Sequence, residues 1–104
     1  MDAEIIDNPE ENRFEMIVEG RRVGFLAYER ILNELTVTHI ETEPELAGRG
    51  LGLVLVRGSL DLASAQSMRV RPREPFVRGF IARHPAYHDL LPADARADVD
   101  RPDD

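Results

Sequence analysis

The sequence predicts an α+β domain in which an antiparallel meander of three strands is followed by a strand–helix–strand–helix unit within one mixed sheet. Two observations support this class. Three segments between residues 13 and 43 alternate apolar with polar side chains or are rich in β-branched residues, as strands are. A cluster of three glycines, Gly48, Gly50 and Gly52, then precedes a segment with the apolar period of a helix.

The three strands of the meander are predicted at residues 13–19, 22–30 and 35–43. In the first, Phe14, Met16 and Val18 alternate with other side chains and should form its core face. The third is rich in Thr, Val and Ile, which favour the pleated conformation, and Pro44 ends it.

The helical part begins with a long, mostly buried helix at about residues 51–66, followed by a short strand at 68–71. A second helix should start at Pro75, where Glu74 is placed to cap it and to complement its dipole. Its expected core face comprises Phe76, Val77, Phe80 and Ile81. Pro85 should end this helix near Arg83, because the residue before a proline avoids the α region.

The chain of 104 residues is long enough for one domain, which we place at residues 1–91. Residues 92–104 carry five acids and no apolar cluster, so we expect a disordered acidic tail. The first residues have no apolar run typical of a signal peptide, and cysteine is absent, so we expect a cytoplasmic protein. No apolar run is long enough to span a membrane, and the net charge of −7 argues against nucleic acid as a partner.

Charge is distributed unevenly along the chain. Residues 47–88 carry seven arginines and only two acids, whereas the flanking segments are acidic. A basic segment in an acidic protein favours a site for a small anionic ligand, although a solvated surface would give the same pattern.

The glycine cluster lies where a strand is expected to lead into a helix. Closely spaced glycines allow several backbone N–H groups to converge, and a helix N-terminus adds unpaired N–H donors, so this arrangement can hold a phosphate. Arg49 could add a bidentate contact. A simple turn at a helix start is the alternative. The spacing does not match a dinucleotide-binding fingerprint, and the Gly-Lys-Ser/Thr ending of a P-loop is absent.

With these residues in view, the sequence resembles the GNAT superfamily of N-acetyltransferases, and within it the small single-domain YjdJ-type branch. The resemblance spans residues 13 to about 91 and includes the diphosphate loop at residues 47–52. Its other motifs are Arg13-Phe14-Glu15, Gly20, His39-Ile40-Glu41-Thr42-Glu43-Pro44-Glu45-Leu46, Pro72-Arg73-Glu74-Pro75-Phe76-Val77 and Arg83-His84-Pro85-Ala86-Tyr87. Two positions depart from the pattern, because Ala47 stands where Gln or Arg is usual and Glu74 where the branch carries Cys.

The resemblance implies a minimal GNAT-like fold and acetyl-CoA bound where two parallel strands splay apart. The backbone near Ile40 and Thr42 would pair with pantetheine, and the second helix would lie near the far end of the cofactor. The implied cofactor-binding residues are Ile40, Thr42, Ala47, Gly48, Arg49, Gly50, Leu51, Gly52, Arg78 and Arg83.

The resemblance further implies direct transfer of acetyl to an amine of a small molecule or a protein, which requires a base and an acid for the leaving thiolate. The candidate catalytic residues are His39, Glu41, Glu74 and Tyr87. By strict alternation His39 and Glu41 should share a face with Leu35 and Val37. Each has an alternative role. His39 would be a structural residue, Glu41 and Glu74 would be solvated or would cap a helix, and Tyr87 would pack against the second helix.

No metal site is predicted. His84 and His88 have a spacing that can chelate a metal on a helix, but Pro85 disturbs that geometry and no third ligand is apparent. Two functions other than catalysis remain open. One is a CoA- or acyl-CoA-binding module with little turnover, and the other is an interaction role in which the loop only starts a helix. The oligomeric state is not predicted.

Overall fold

A computed structural model describes residues 2–46 and 48–100, together with the side chains of all of these except 97–100. The strands are β1 Ala3–Asn8, β2 Arg13–Val18, β3 Arg21–Ile31, β4 Glu34–Thr42 and β5 Arg69–Pro72. The α-helices are α1 Leu51–Ala65, α2 Pro75–Arg83 and α3 Ala93–Asp100, and short 3₁₀ turns occupy Pro44–Leu46 and Pro85–Leu90.

The five strands form one sheet in the order β1-β2-β3-β4-β5. The first four are antiparallel to their neighbours, and β5 runs parallel to β4. The predicted mixed α+β sheet is therefore confirmed, but the sequence analysis missed β1. No residue of β1 is fully buried, and its sequence, Ala-Glu-Ile-Ile-Asp-Asn, does not alternate clearly between apolar and polar side chains.

The described residues have a core between the sheet and its helices. Phe14, Met16 and Val18 contribute to it, as predicted for β2. The helix α1 packs against all five strands, and α2 packs against β5 and α1. One prediction for α2 is wrong, because Phe76 is 41% exposed whereas Val77, Phe80 and Ile81 are fully buried. None of the described helices is long and apolar enough to cross a membrane.

The strand β4 contains an irregularity that reverses the direction of its side chains. Val37 pairs with Tyr28 and His39 with Ala27, so the intervening Thr38 is left without a partner in the register. An extra residue of this kind is a β-bulge, and it moves the following side chains to the opposite face. The side chains of β4 after Thr38 therefore do not continue the alternation that buries Leu35 and Val37.

The prediction of a disordered tail at residues 92–104 is wrong for Ala93–Asp100, which form the helix α3. Ala95 is buried, and Asp94 accepts two hydrogen bonds from Arg71 of β5 at 2.9 and 3.0 Å. Arg71 also donates to Glu34 at 2.9 Å. The composition of residues 92–104 favours disorder, because it does not show that Arg71, a residue distant in sequence, binds Asp94. Residues 101–104 lie outside the described part of the chain.

The contact between β1 and α1 gives a stability test. A Cβ added at Gly58 would lie 2.4 Å from Cγ1 of Ile5, so we expect Gly58→Ala to lower the free energy of unfolding by about 1–3 kcal/mol through overpacking. At an open helical position the same change would stabilise by up to about 1 kcal/mol. Gly79→Ala in α2 is the control, because its Cβ would meet only the flexible end of Arg83. Urea unfolding of both variants checks the opposite signs. If Gly58→Ala were also stabilising, β1 would not pack on α1 as described.

Candidate functional site

The site is built on the separation of the parallel pair β4 and β5. Their pairing ends at Val37 and Pro72, and the N–H groups of Arg73 and Glu74 then both donate to the Val37 carbonyl at 3.1 Å. The chain turns from there into α2, while β4 continues to Thr42. Within the described residues, no strand pairs with this edge of β4 beyond Val37. An open groove with unpaired backbone groups on one wall therefore begins at the bulge.

The glycine loop lies at the far end of this groove. Gly48 and Gly50 have φ angles of +84° and +74°, in the left-handed region that side chains disfavour. Gly50 is the N-cap of α1 and no side chain caps the helix. Among the described residues there is no acceptor for the backbone N–H of Gly52 or of Leu53. The helix therefore presents unpaired donors, together with the positive end of its dipole, at this end of the groove.

The groove contains a cleft of about 410 Å³. Seven residues that the sequence analysis singled out form part of its wall: Ile40, Glu41, Thr42, Gly48, Gly50, Leu51 and Gly52. Three more were not proposed for the site, namely Leu46, Leu53 and Phe76. Leu53 and Phe76 are apolar residues on helices, so the sequence indicates core positions for them. The structure instead leaves them 45% and 41% exposed, at the wall of the cleft.

The remaining predicted cofactor contacts are not brought to this cleft. Arg49, Arg78 and Arg83 are exposed and do not line it. The guanidinium of Arg83 extends back along its own helix towards Gly79. The predicted contact at Ala47 falls outside the described residues.

His39 and Glu41 lie on the face opposite to the one expected. Leu35 and Val37 are each 2% exposed in the core, whereas the side chains of His39 and Glu41 are 57% and 62% exposed. The bulge at Thr38 is the cause, because simple alternation assumes an uninterrupted strand. Nε2 of His39 lies 3.3 Å from Oε1 of Glu41, so the two form a hydrogen-bonded pair. Glu41 also lines the cleft, and His39 does not.

The other two catalytic candidates are engaged in structural contacts. Oε1 of Glu74 accepts a hydrogen bond from the Val77 N–H at 2.9 Å, which confirms its predicted role as the N-cap of α2. The Tyr87 hydroxyl donates to Asp61 of α1 at 3.0 Å. Burial, together with that hydrogen bond, raises the pKa of Tyr87, so the phenol holds its proton more tightly. Neither residue lines the cleft.

The two histidines after α2 bind its last carbonyls. A ring nitrogen of His84 lies 2.7 Å from the Phe80 carbonyl, and one of His88 lies 2.9 Å from the Ile81 carbonyl. The His84 ring also stacks on Phe80, with 4.0 Å between ring centroids. In the described part of the chain, no group of three or more His, Asp or Glu side chains could hold a metal ion.

Three features of the cleft determine which ligand it can bind. Free N–H groups and a helix dipole at one end favour an anion such as a phosphate. Unpaired peptide groups along β4 can bind an extended chain that contains amides, in the way an added strand would. The apolar side chains of Leu46, Leu53 and Phe76 can cover the hydrocarbon part of such a chain.

Solved structures provide a comparison for the fold. A protein of Staphylococcus aureus described as GCN5-like superposes with a TM-score of 0.63, at 22% identity over 86% of this chain and 87% of its own. The ribosomal-protein-S18-alanine N-acetyltransferase of Escherichia coli gives 0.51, at 22% identity over 56% of this chain and 38% of its own. N-acetylglutamate synthase of Neisseria gonorrhoeae, solved with coenzyme A and N-acetyl-glutamate, gives 0.51 at 15% identity over 84% of this chain and 22% of its own.

At these identities the three structures show a shared fold, and the chain spans well under half the length of two of them. No curated protein matches the sequence. The family model for GCN5-related N-acetyl-transferases, however, matches residues 13–90, which include every strand from β2 to β5, the glycine loop, α1 and α2. The chain therefore belongs to the GCN5-related N-acetyl-transferase family.

Proposed function

We propose that this protein transfers the acetyl group of acetyl-CoA to a primary amine at the cleft between β4 and β5. The observation that carries the proposal is the combination of the free edge of β4 with the unpaired N–H groups of Gly52 and Leu53 on one cleft. A ligand that suits both features has a diphosphate at one end and an amide-containing chain leading from it. Coenzyme A has this composition, and a structural neighbour was solved with it.

The residues present fit such a ligand. A Cβ at Gly48 or Gly50 would meet no other atom within 4 Å, so these glycines leave open space beside the helix start. Diphosphate oxygens would accept from the N–H groups of Gly52 and Leu53, and the pantetheine amides would pair with β4 near Ile40 and Thr42. When bound, acetyl-CoA would supply an activated acetyl thioester. Attack by the amine would form an amide and break the carbon–sulfur bond, and the departing thiolate would take its proton from solvent.

The proton of the acceptor ammonium must be removed before its nitrogen can attack. His39 and Glu41 are the residues we assign to this step. His39 takes the proton, and Glu41 holds the imidazole from 3.3 Å away while it also lines the cleft. Both side chains are more than half exposed, so the proton can pass on to solvent. Glu74 and Tyr87 are left out of the reaction, because each is already bound to Val77 or Asp61.

The engaged state of Glu74 and Tyr87 also favours a second function. A domain that binds CoA or acyl-CoA with little turnover would need the loop and the free strand edge but no base. The position at which the YjdJ-type branch carries Cys holds Glu74 here, and its carboxylate caps α2. This binding module is the alternative to catalysis.

Two measurements on the full chain test these functions. Calorimetry with acetyl-CoA should show saturable binding, and the absence of heat at millimolar ligand would refute both functions. Thiol release with a panel of amines should then show turnover that depends on the acceptor. The chain contains 13 arginines and no lysine, so any acetyl-lysine that is recovered must belong to an added acceptor and not to this chain. Tight binding without acetylation of any amine would leave the binding module.

A further inference from the structure

A second cavity lies on the outer face of the sheet, which we define as the face that carries Glu15, Phe25, His39 and Glu41. Its volume is about 380 Å³, and it is lined by Arg22, Val23, Gly24, Phe25, Glu41, Thr42, Glu43 and Pro44. Glu41 and Thr42 also line the cleft described above. The last residues of β4 are therefore a wall shared by the two cavities, and a molecule in the outer cavity is next to the cleft.

Charged groups in and beside this cavity lie on the two sides of Phe25. Arg22 and Glu41 line the cavity, whereas Arg13 and Glu15 lie beside it. The strand register places Glu15, Phe25 and Glu41 side by side on β2, β3 and β4. On one side Glu15 is 8% exposed and accepts from Arg13 at 2.7 Å and from Asn8 at 3.2 Å. The Arg13 hydrogen bond is the main cause of the lowered pKa of Glu15, which therefore remains ionised and bound.

Arg22 is the weakly engaged cation on that side. Its guanidinium lies 3.7 Å from the Glu15 carboxylate, which Arg13 already holds more closely, and the Arg22 side chain is 47% exposed. The Arg13 guanidinium lies 5.1 Å from the centre of the Phe25 ring and adds positive charge there. Two cations around one bound carboxylate leave an excess of positive charge on this side of Phe25.

Glu41 is the weakly engaged anion on the opposite side. Its carboxylate contacts His39 at 3.3 Å, and among the described residues no arginine forms an ion pair with it. Glu43 is different, because its Oε1 is paired with Arg21 and its Oε2 is buried, where among the described residues it has no hydrogen-bond partner. The outer cavity thus presents an available cation, an aromatic ring and an available anion in that order, with the anion beside the acetyl-transfer cleft.

We propose that the acceptor is an amine that also carries a carboxylate, with a carbon chain between the two groups. Its ammonium binds Glu41 next to His39, its chain lies beside Phe25, and its carboxylate binds Arg22. A diamine or polyamine fits less well, because its second cation would meet Arg13 and Arg22. A simple alkylamine would leave Arg22 without a ligand. The inference rests on the proposed function, since the ammonium at Glu41 is the group that is acetylated.

The test compares linear ω-amino acids of increasing length with alkylamines of equal length, by thiol release at saturating acetyl-CoA. We expect kcat/KM to be about 10-fold or more higher for the best ω-amino acid than for its matched alkylamine, as one charge-assisted contact would give. Arg22→Gln should remove this preference, because the carboxylate of the ω-amino acid then loses its charged partner while the matched alkylamine has no carboxylate to lose. Arg30→Gln is the control, because Arg30 lies on the same strand, donates to the Leu32 carbonyl and does not line the outer cavity.

Equal rates for the two series in the parent protein would overturn the inference, and so would a preference that survives Arg22→Gln. A second readout does not require turnover. Titration of 5-aminopentanoate into the CoA-saturated protein should shift the backbone NMR signals of Phe25 and Glu41, and these shifts should vanish in Arg22→Gln. Absent shifts would refute the acceptor assignment even where calorimetry shows that CoA binds, so the two proposals fail separately.

Discussion

Gly50→Val is expected to lower the affinity for CoA by about 30-fold or more while the fold is retained. Gly50 has a φ angle of +74°, and a left-handed backbone costs an ordinary residue about 1–2 kcal/mol, more when the side chain is β-branched. The variant loop will relax to negative φ in the free protein, which turns the N–H groups after Gly50 away from the cleft. Binding must then restore the strained conformation, and 2 kcal/mol corresponds to about 30-fold in affinity. Calorimetry with CoA measures the loss.

The matched control for this loop is Gly20→Val. Gly20 has a φ angle of +76°, and a Cβ there would also meet no atom within 4 Å. It lies in the turn between β2 and β3 and does not line the cleft. Both variants should lose similar stability in thermal unfolding, but only Gly50→Val should lose CoA affinity. If the two bind CoA equally well, the glycine loop is not the diphosphate site and the proposed function fails.

Features set by neighbouring residues could be predicted from the sequence. The bounds of α1 and α2 follow from the apolar period, from Pro75 at the first turn and from Pro85 beyond the end. Glu74 was predicted to cap α2, and it accepts from the Val77 N–H. The opening between β4 and β5 was implied by the family resemblance, and the structure shows the pairing ending at Val37.

Features set by distant residues could not be predicted. The strand β1 is held by β2 and by its fit against Gly58, which its own composition does not show. The helix α3 packs against α2, and its Asp94 accepts from Arg71, which lies 23 residues earlier in the chain. Tyr87 is bound by Asp61, so its position cannot be judged from the motif around it.

The bulge in β4 has the largest consequence for function. One unpaired residue, Thr38, moves His39 and Glu41 from the core face to the outer face. The same strand therefore has Leu35 and Val37 in the core and a polar pair beside the outer cavity. Ile40 returns to the core side, where it lines the cleft. A candidate base and a candidate cofactor contact can thus lie next to each other in sequence and on opposite sides of one strand.

His39→Ala should lower kcat by about 10²–10⁴-fold, the usual contribution of a positioned base, and leave the affinity for CoA unchanged. Its side chain is 57% exposed, so the free energy of unfolding should change by no more than about 0.5 kcal/mol. Steady-state kinetics with saturating acetyl-CoA and thermal unfolding measure the two effects, and exposed Glu29→Ala on β3 is the control.

Chemical rescue distinguishes a base from a structural histidine at this position. Because the outer face is open at His39, free imidazole can enter the space left by His39→Ala and should restore part of kcat in proportion to its concentration. Imidazole would not restore a hydrogen bond that only orients β4. Glu41→Gln should lower kcat less than His39→Ala does, since Glu41 acts through the ring 3.3 Å away. If His39→Ala keeps kcat within threefold of the parent, the proton is removed by another group, and Glu41, which lines both cavities, becomes the residue to test.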